Sequence, residues 1–87
     1  MTHDEALARI KKILMDELRV PEKRITPDAS FRGRMALDSF DVLDLIHRLE
    51  KVFGLSEGLG AYRNLDTVAK LVDFVVERTR ARAGGGA

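Results

Sequence analysis

Asp38-Ser39-Phe40-Asp41-Val42-Leu43-Asp44-Leu45-Ile46-His47-Arg48-Leu49-Glu50-Lys51-Val52-Phe53-Gly54 decides how the rest of the chain is read. Val42, Leu45, Ile46, Leu49 and Phe53 recur at spacings of three and four, the period of a helix that buries one stripe. Asp41, Asp44, Arg48 and Lys51 fall on the other side. Asp38 is a good N-cap, and Asp41 three residues on approximates a capping-box acid. Gly54 stands where a left-handed glycine ends a helix. The stretch predicts a helix over Ser39–Phe53.

Towards the N-terminus the pattern is lost between Pro21 and Leu37, where Pro27-Asp28 and Gly33 are turn signals and Ile25, Phe31, Met35 and Leu37 keep no period. A connection this long is unusual in a compact bundle, and those four apolar side chains predict an ordered loop pinned to the core. Before it, Leu7, Ile10, Ile13, Leu14 and Leu18 form one apolar stripe, and Thr2 with Glu5 makes a capping box. The spacing predicts a helix over Asp4–Leu18, stopped by Pro21.

Towards the C-terminus, Leu59, Tyr62 and Leu65 have helical spacing over Glu57–Asn64. Gly58 and Gly60 each cost about 1 kcal/mol against alanine, so only a turn or two is expected there. A last helix, capped by Asp66, carries Val68, Leu71, Val72 and Val75 on its stripe with Phe74 beside it. Arg78, Arg80 and Arg82 suit its C-terminal dipole. The fold expected is all-α: a four-helix bundle of three main helices and one short third helix, with a long first loop. One domain is expected over residues 1–82, followed by a disordered Gly-rich tail over 83–87.

With 87 residues there is room for one core and little else. No cysteine is present, so disulfides and Cys-ligated metal are excluded, and His3 and His47 are not spaced as a ligand pair. No nucleophile, base and orienting group assemble into a catalytic set, so no catalytic residue, no metal and no enzyme activity are expected. The apolar runs are too short to span a bilayer, which takes about 20 residues. Asp4, Glu5, Lys11 and Lys12 interrupt any signal-peptide-like stretch, and a cytoplasmic protein is expected. The net charge of +1 hides a segregation. Residues 1–37 carry eight basic and six acidic side chains, residues 38–57 two and five, and residues 58–87 five and three. The acid is concentrated in the central helix, where it can guide partner encounter.

Asp38-Ser39-Phe40 at a helix start, with the pattern that follows through Leu49-Glu50 and Val52-Phe53-Gly54, resembles the signature of acyl carrier proteins. Ile25-Thr26-Pro27-Asp28-Ala29-Ser30-Phe31 resembles that family's first loop, and helix order and spacing extend the resemblance over residues 4 to 80. A serine here is otherwise an ordinary part of a helix cap. The resemblance implies that Ser39 is the attachment point of a 4′-phosphopantetheine arm, with Asp38 beside it. A phosphodiester on a first helical turn meets free N–H groups and the positive end of the dipole. The resemblance also implies a phosphopantetheinyl transferase as partner, acyl-transferring or condensing enzymes of fatty-acid, lipid or polyketide-type biosynthesis, and acyl chains as thioester cargo. Phe40, Asp41, Asp44 and Glu50 match partner-binding positions, and a monomer is expected, without nucleic acid.

The chain also departs from that family. Typical members are strongly acidic, whereas His47, Arg48 and Lys51 stand on the second helix and Arg32 and Arg34 in the loop before the motif. This composition points to a carrier serving a dedicated pathway. A peptidyl or D-alanyl carrier is the near alternative, although Ala36-Leu37-Asp38 lacks the glycines that usually precede the serine of peptidyl carriers. The alternative of another class is a small helical interaction or nucleic-acid-binding module using the basic termini. Nucleic-acid binders gather Lys and Arg on one reading element, and here the best-defined helix is the acidic one.

Overall fold

The computed structural model describes residues 1–85, with side chains as far as Arg82. Three helices, α1 (His3–Asp16), α2 (Ser39–Phe53) and α3 (Val68–Gly85), are joined by segments that contain single 3₁₀ turns at Glu22–Arg24 and Leu59–Tyr62. No strand forms among the described residues; Ser30 and Thr67 make one isolated antiparallel bridge.

Local chemistry explains where the helices begin and end. Thr2 Oγ1 accepts from the Glu5 N–H, and Glu5 Oε1 accepts from the Thr2 N–H, both at 3.1 Å. The Thr2 N–H and hydroxyl, both donating to Oε1, hold the Glu5 carboxyl below its ordinary range, and with the bond to the Glu5 N–H they form the cap. They start α1 at His3, one residue before the position expected. α2 ends at Gly54, left-handed at φ 66°, and the Leu55 N–H returns to the Glu50 carbonyl at 2.9 Å. α1 ends differently: its cap residue Glu17 stays right-handed, and the reversal comes two residues later. Arg19 takes φ 59° and the Val20 N–H returns to the Leu14 carbonyl at 2.9 Å. That turn closes α1 two residues before Leu18, where the apolar stripe alone would have carried it.

Packing buries the apolar stripes of the three helices in one core. Ile10, Leu14, Leu45, Leu49, Val68 and Val75 are fully enclosed, and each such burial is worth about 1.5–3 kcal/mol. α1 lies against both α2 and α3. Ile25, Phe31, Met35 and Leu37 are all buried, so the segment between α1 and α2 is anchored at each of its large apolar side chains from Ile25 on.

That segment is also stitched to α3. The Val68 N–H donates to the Ala29 carbonyl (3.2 Å), the Ala69 N–H to Pro27 (2.9 Å), and the Phe31 N–H to Asp66 (3.2 Å). The first N–H groups of a helix have no partner within it, and here loop carbonyls supply them. Asp66 is not the cap expected from sequence. Thr67 Oγ1 accepts from the Lys70 N–H at 3.3 Å, while Asp66 Oδ1 takes the Lys70 ammonium at 3.0 Å. The hydrogen bond from Lys70 holds the Asp66 carboxyl low.

The short helix expected over Glu57–Asn64 is a 3₁₀ turn at Leu59–Tyr62, entered through Gly58 at φ 83°. Tyr62 anchors it, buried edge-on against Phe74 with ring centroids 5.1 Å apart. The Gly-rich tail expected over 83–87 coincides with the end of α3, and its last two positions lie outside the described residues.

Candidate functional site

The start of α2 is built by two carboxylates. Asp38, extended at φ −88° and ψ −178°, accepts the Asp41 N–H at 2.9 Å, and Asp41 Oδ2 accepts the Asp38 N–H at 3.3 Å. This reciprocal box caps the helix without help from Ser39. The Ser39 hydroxyl therefore has no cap to make. It is exposed on the first helical residue, and the partner it meets is the guanidinium of Arg32, whose Nη2 donates to Oγ. An exposed alcohol at a helix N-terminus fits a covalently attached phosphodiester, because the serine is free to be modified and nothing in the fold depends on its hydroxyl.

Three positions before Asp38 set its approach. The Met35 N–H donates to the Ser30 carbonyl (3.2 Å), the Ala36 N–H to Gly33 (3.1 Å), and the Leu37 N–H to Phe31 (2.9 Å). Ser30 Oγ accepts from the Gly33 and Arg34 N–H groups at 3.0 and 3.2 Å. The result is a tight knot over residues 30–37 in which Ala36 adopts φ 55°. Phe31, Met35 and Leu37 point into the core, so Arg32 is presented from a fixed backbone.

An open cleft of about 600 Å³ runs beside Ser39. Val42, Leu43 and Ile46 of α2 form one wall and Leu59, Tyr62 and Leu65 another, with Ser39, Arg32 and Arg63 also lining it. The volume is that of a small-molecule pocket, and its lining is largely apolar.

The partner-binding candidates fall into distinct environments. Phe40 is 83% exposed, and Leu43 on the same helix is exposed as well. Asp41 is half-buried and committed to the cap of α2. Asp44 Oδ2 pairs with Arg48 Nε at 3.1 Å, and Arg48 Nη1 reaches Glu17 at 3.3 Å, so Asp44 is not a free charge. Glu50 is turned inward: its Oε2 accepts from the Glu57 N–H at 2.8 Å and from the Tyr62 hydroxyl at 2.9 Å. The resemblance placed it among the partner-binding positions, but its carboxylate ties α2 to the 3₁₀ turn. Burial, reinforced by the bond to Glu50, pushes the Tyr62 phenol well above its ordinary range. His47 is exposed on α2.

Sequence reading missed Arg32 as a neighbour of Ser39 and the cleft side of Leu59, Tyr62 and Leu65. The serine-turn pattern Ser30-Phe31-Arg32-Gly33 was the available signal for the first. The helical spacing of Leu59, Tyr62 and Leu65 predicted a turn there, but nothing in it marked the face they turn towards Ser39.

A family model described as "Phosphopantetheine attachment site" matches residues 8–75. The acyl carrier protein of Rubrobacter xylanophilus is 40% identical to this chain over 81 residues, which cover 93% of this chain and 100% of the relative.

Proposed function

Because the chain belongs to the phosphopantetheine-bearing acyl carrier protein family, whose cofactor is 4′-phosphopantetheine, we propose that Ser39 is the residue that carries the arm. The observation that carries this reading is the Ser39 hydroxyl itself: exposed, first in α2, and left unused by a cap that Asp38 and Asp41 complete alone. Acyl carrier proteins are carriers rather than catalysts, and no activating base is needed beside Ser39 when a separate transferase supplies one. In that transfer the Ser39 Oγ–P bond forms as a phosphoanhydride P–O bond of coenzyme A breaks. The serine proton passes to the transferase base, and adenosine 3′,5′-bisphosphate leaves.

The arm supplies the thiol that a chain without cysteine lacks, and with it a thioester for acyl cargo. Ile46, Leu59, Tyr62 and Leu65 offer that cargo an apolar wall beside Ser39. Phe40 and Leu43 provide exposed apolar contact for partner enzymes, and Asp38, Asp41 and Asp44 the negative potential around it. Glu50 serves these partners indirectly, by holding the cleft wall through Tyr62. We read the architecture as a four-helix bundle whose third member is reduced to a 3₁₀ turn, forming one carrier domain over residues 1–82 behind a long first loop. No described helix is long and apolar enough to cross a membrane. A monomeric cytoplasmic carrier, serving acyl-transferring or condensing enzymes of fatty-acid, lipid or polyketide-type synthesis, is the reading proposed.

The test is intact mass after incubation with coenzyme A and a broad-specificity phosphopantetheinyl transferase. The parent chain gains one phosphopantetheine and Ser39→Ala gains none. A folded parent that stays unmodified with several transferases, or a Ser39→Ala chain that is still modified, overturns the assignment.

A further inference from the structure

The electrostatics at Ser39 leave a difficulty that one side chain resolves. Asp38 and Asp41 already place two carboxylates at the start of α2, where the helix dipole offers only about half a positive charge. A phosphodiester on Ser39 adds a third negative charge to the same turn. Asp66, which also lines the cleft, is paired with Lys70. Arg32 is the cationic side chain hydrogen-bonded to Ser39 Oγ, and it makes no ion pair with a carboxylate among the described residues.

The guanidinium is also held where it is needed. Its backbone lies between buried Phe31, whose N–H donates to the Asp66 carbonyl at 3.2 Å, and Gly33, whose N–H donates to Ser30 Oγ at 3.0 Å. A planar fork of donors on a fixed backbone loses little freedom when it binds a tetrahedral anion, and charge-assisted bonds of this kind are about twice as strong as neutral ones. The non-bridging oxygens of a phosphodiester sit two bonds beyond the ester oxygen, within the span of the same fork.

Building on Ser39 as the attachment point, we propose that Arg32 is a phosphate-binding positioning residue. Its guanidinium exchanges the serine hydroxyl for the phosphodiester once the arm is attached, offsets the two capping carboxylates, and fixes the root of the arm on the loop side of α2. Unloaded, the same contact orients the Ser39 hydroxyl.

The experiment uses the parent chain, Arg32→Ala, Arg32→Lys and Arg34→Ala, each loaded with phosphopantetheine, checked by intact mass for loading and by circular dichroism for folding. The ³¹P spectrum of the phosphodiester and the arginine side-chain ¹H–¹⁵N spectrum are recorded at low salt and at 1 M salt. In the parent, one arginine Nε–H peak moves between the unloaded and loaded states and is absent from Arg32→Ala. The ³¹P resonance of Arg32→Ala is displaced from that of the parent, Arg32→Lys lies between, and Arg34→Ala keeps the parent position. At 1 M salt, where the screening length is about 3 Å, the parent resonance moves towards that of Arg32→Ala. Four loaded chains with one shared ³¹P position, or an Arg34→Ala displacement as large as that of Arg32→Ala, overturn the role of Arg32 and leave Ser39 standing. A folded parent that takes no phosphopantetheine overturns both.

Discussion

Ala36 and Gly33 frame the approach to Ser39, and each sits where its side chain matters most. Ala36 holds φ 55°, a left-handed conformation that costs an L-residue about 1–2 kcal/mol, directly ahead of Leu37 and Asp38. Ala36→Gly removes that strain, and against it stands about 0.4–1 kcal/mol of extra freedom in the unfolded chain. The expected result is a net gain of about 0.5–1 kcal/mol, read as a higher urea midpoint at unchanged slope. Gly33→Ala has the opposite sign. A Cβ there collides with Ser30 Oγ, the acceptor for the Gly33 and Arg34 N–H groups. Losing those two bonds costs about 1–3 kcal/mol and lowers the same midpoint. A Gly33→Ala chain as stable as its parent would show that the knot is not what fixes this segment. Neither effect was legible in the sequence. Gly33 reads there only as a turn signal, and nothing at Ala36 announces a left-handed residue. Asp38 was legible as the cap because capping chemistry is local and depends on residue type alone, whereas Ser39 stood out only through the resemblance of the stretch around it.

Helices α1, α2 and α3 were legible because each repeats apolar residues at a period that only a helix turns to one face. The short turn at Leu59–Tyr62 was legible as one or two turns of helix over Glu57–Asn64, but its tie to α2 was not, since that rests on tertiary contacts that no local pattern records. Glu50 and Tyr62 supply them, with one carboxylate oxygen accepting both the Tyr62 hydroxyl and the Glu57 N–H. Glu50→Ala removes both bonds and is expected to cost about 1–3 kcal/mol, well beyond the effect of neutralising an exposed acid. Tyr62 gives the same tie a pH signature. Burial and Glu50 raise the folded phenol well above the unfolded value of about 10. Below pH 10 the phenol is protonated in both states and contributes fully. Above it the unfolded chain releases the proton while the folded chain keeps it, so stability falls as pH rises, by up to about 1.4 kcal/mol per unit. Thermal unfolding between pH 8 and 11 should show this decline in the parent and a shallower one in Tyr62→Phe. Equal slopes in the two chains would remove the tie from the account of the cleft wall.

Across the whole molecule, charge is segregated more finely than the net value of +1 conveys. The sequence placed the acids on the second helix, but it did not show which of them are free. Asp44 is paired with Arg48, Arg48 also reaches Glu17, and Glu50 is turned inward. The basic side of Ser39, with Arg32 from the loop and Arg63 across the cleft, brings together residues far apart in the chain. A site that is acidic on one flank and basic on the other differs from a uniformly acidic carrier, and its encounter with a transferase should depend on each flank separately. Charges at the rim of an interface act mainly on association rate, and salt screens them within about 10 Å at 0.1 M. If the α2 acids attract the transferase, Asp44→Asn slows phosphopantetheine transfer a few-fold at low salt. Arg48→Ala then does the reverse, because it unmasks Asp44 and removes a positive charge from the same face. Both variants converge on the parent rate as salt rises. Opposite signs that vanish together with salt are what steering produces and what local damage to α2 does not, since misfolding would slow both variants and persist at high salt. Transfer rates measured by intact mass at 0.05 and 0.5 M salt separate the two cases. Two variants slowed alike at both salts would mean that the acids of α2 stabilise the helix and leave recognition to Phe40 and the loop.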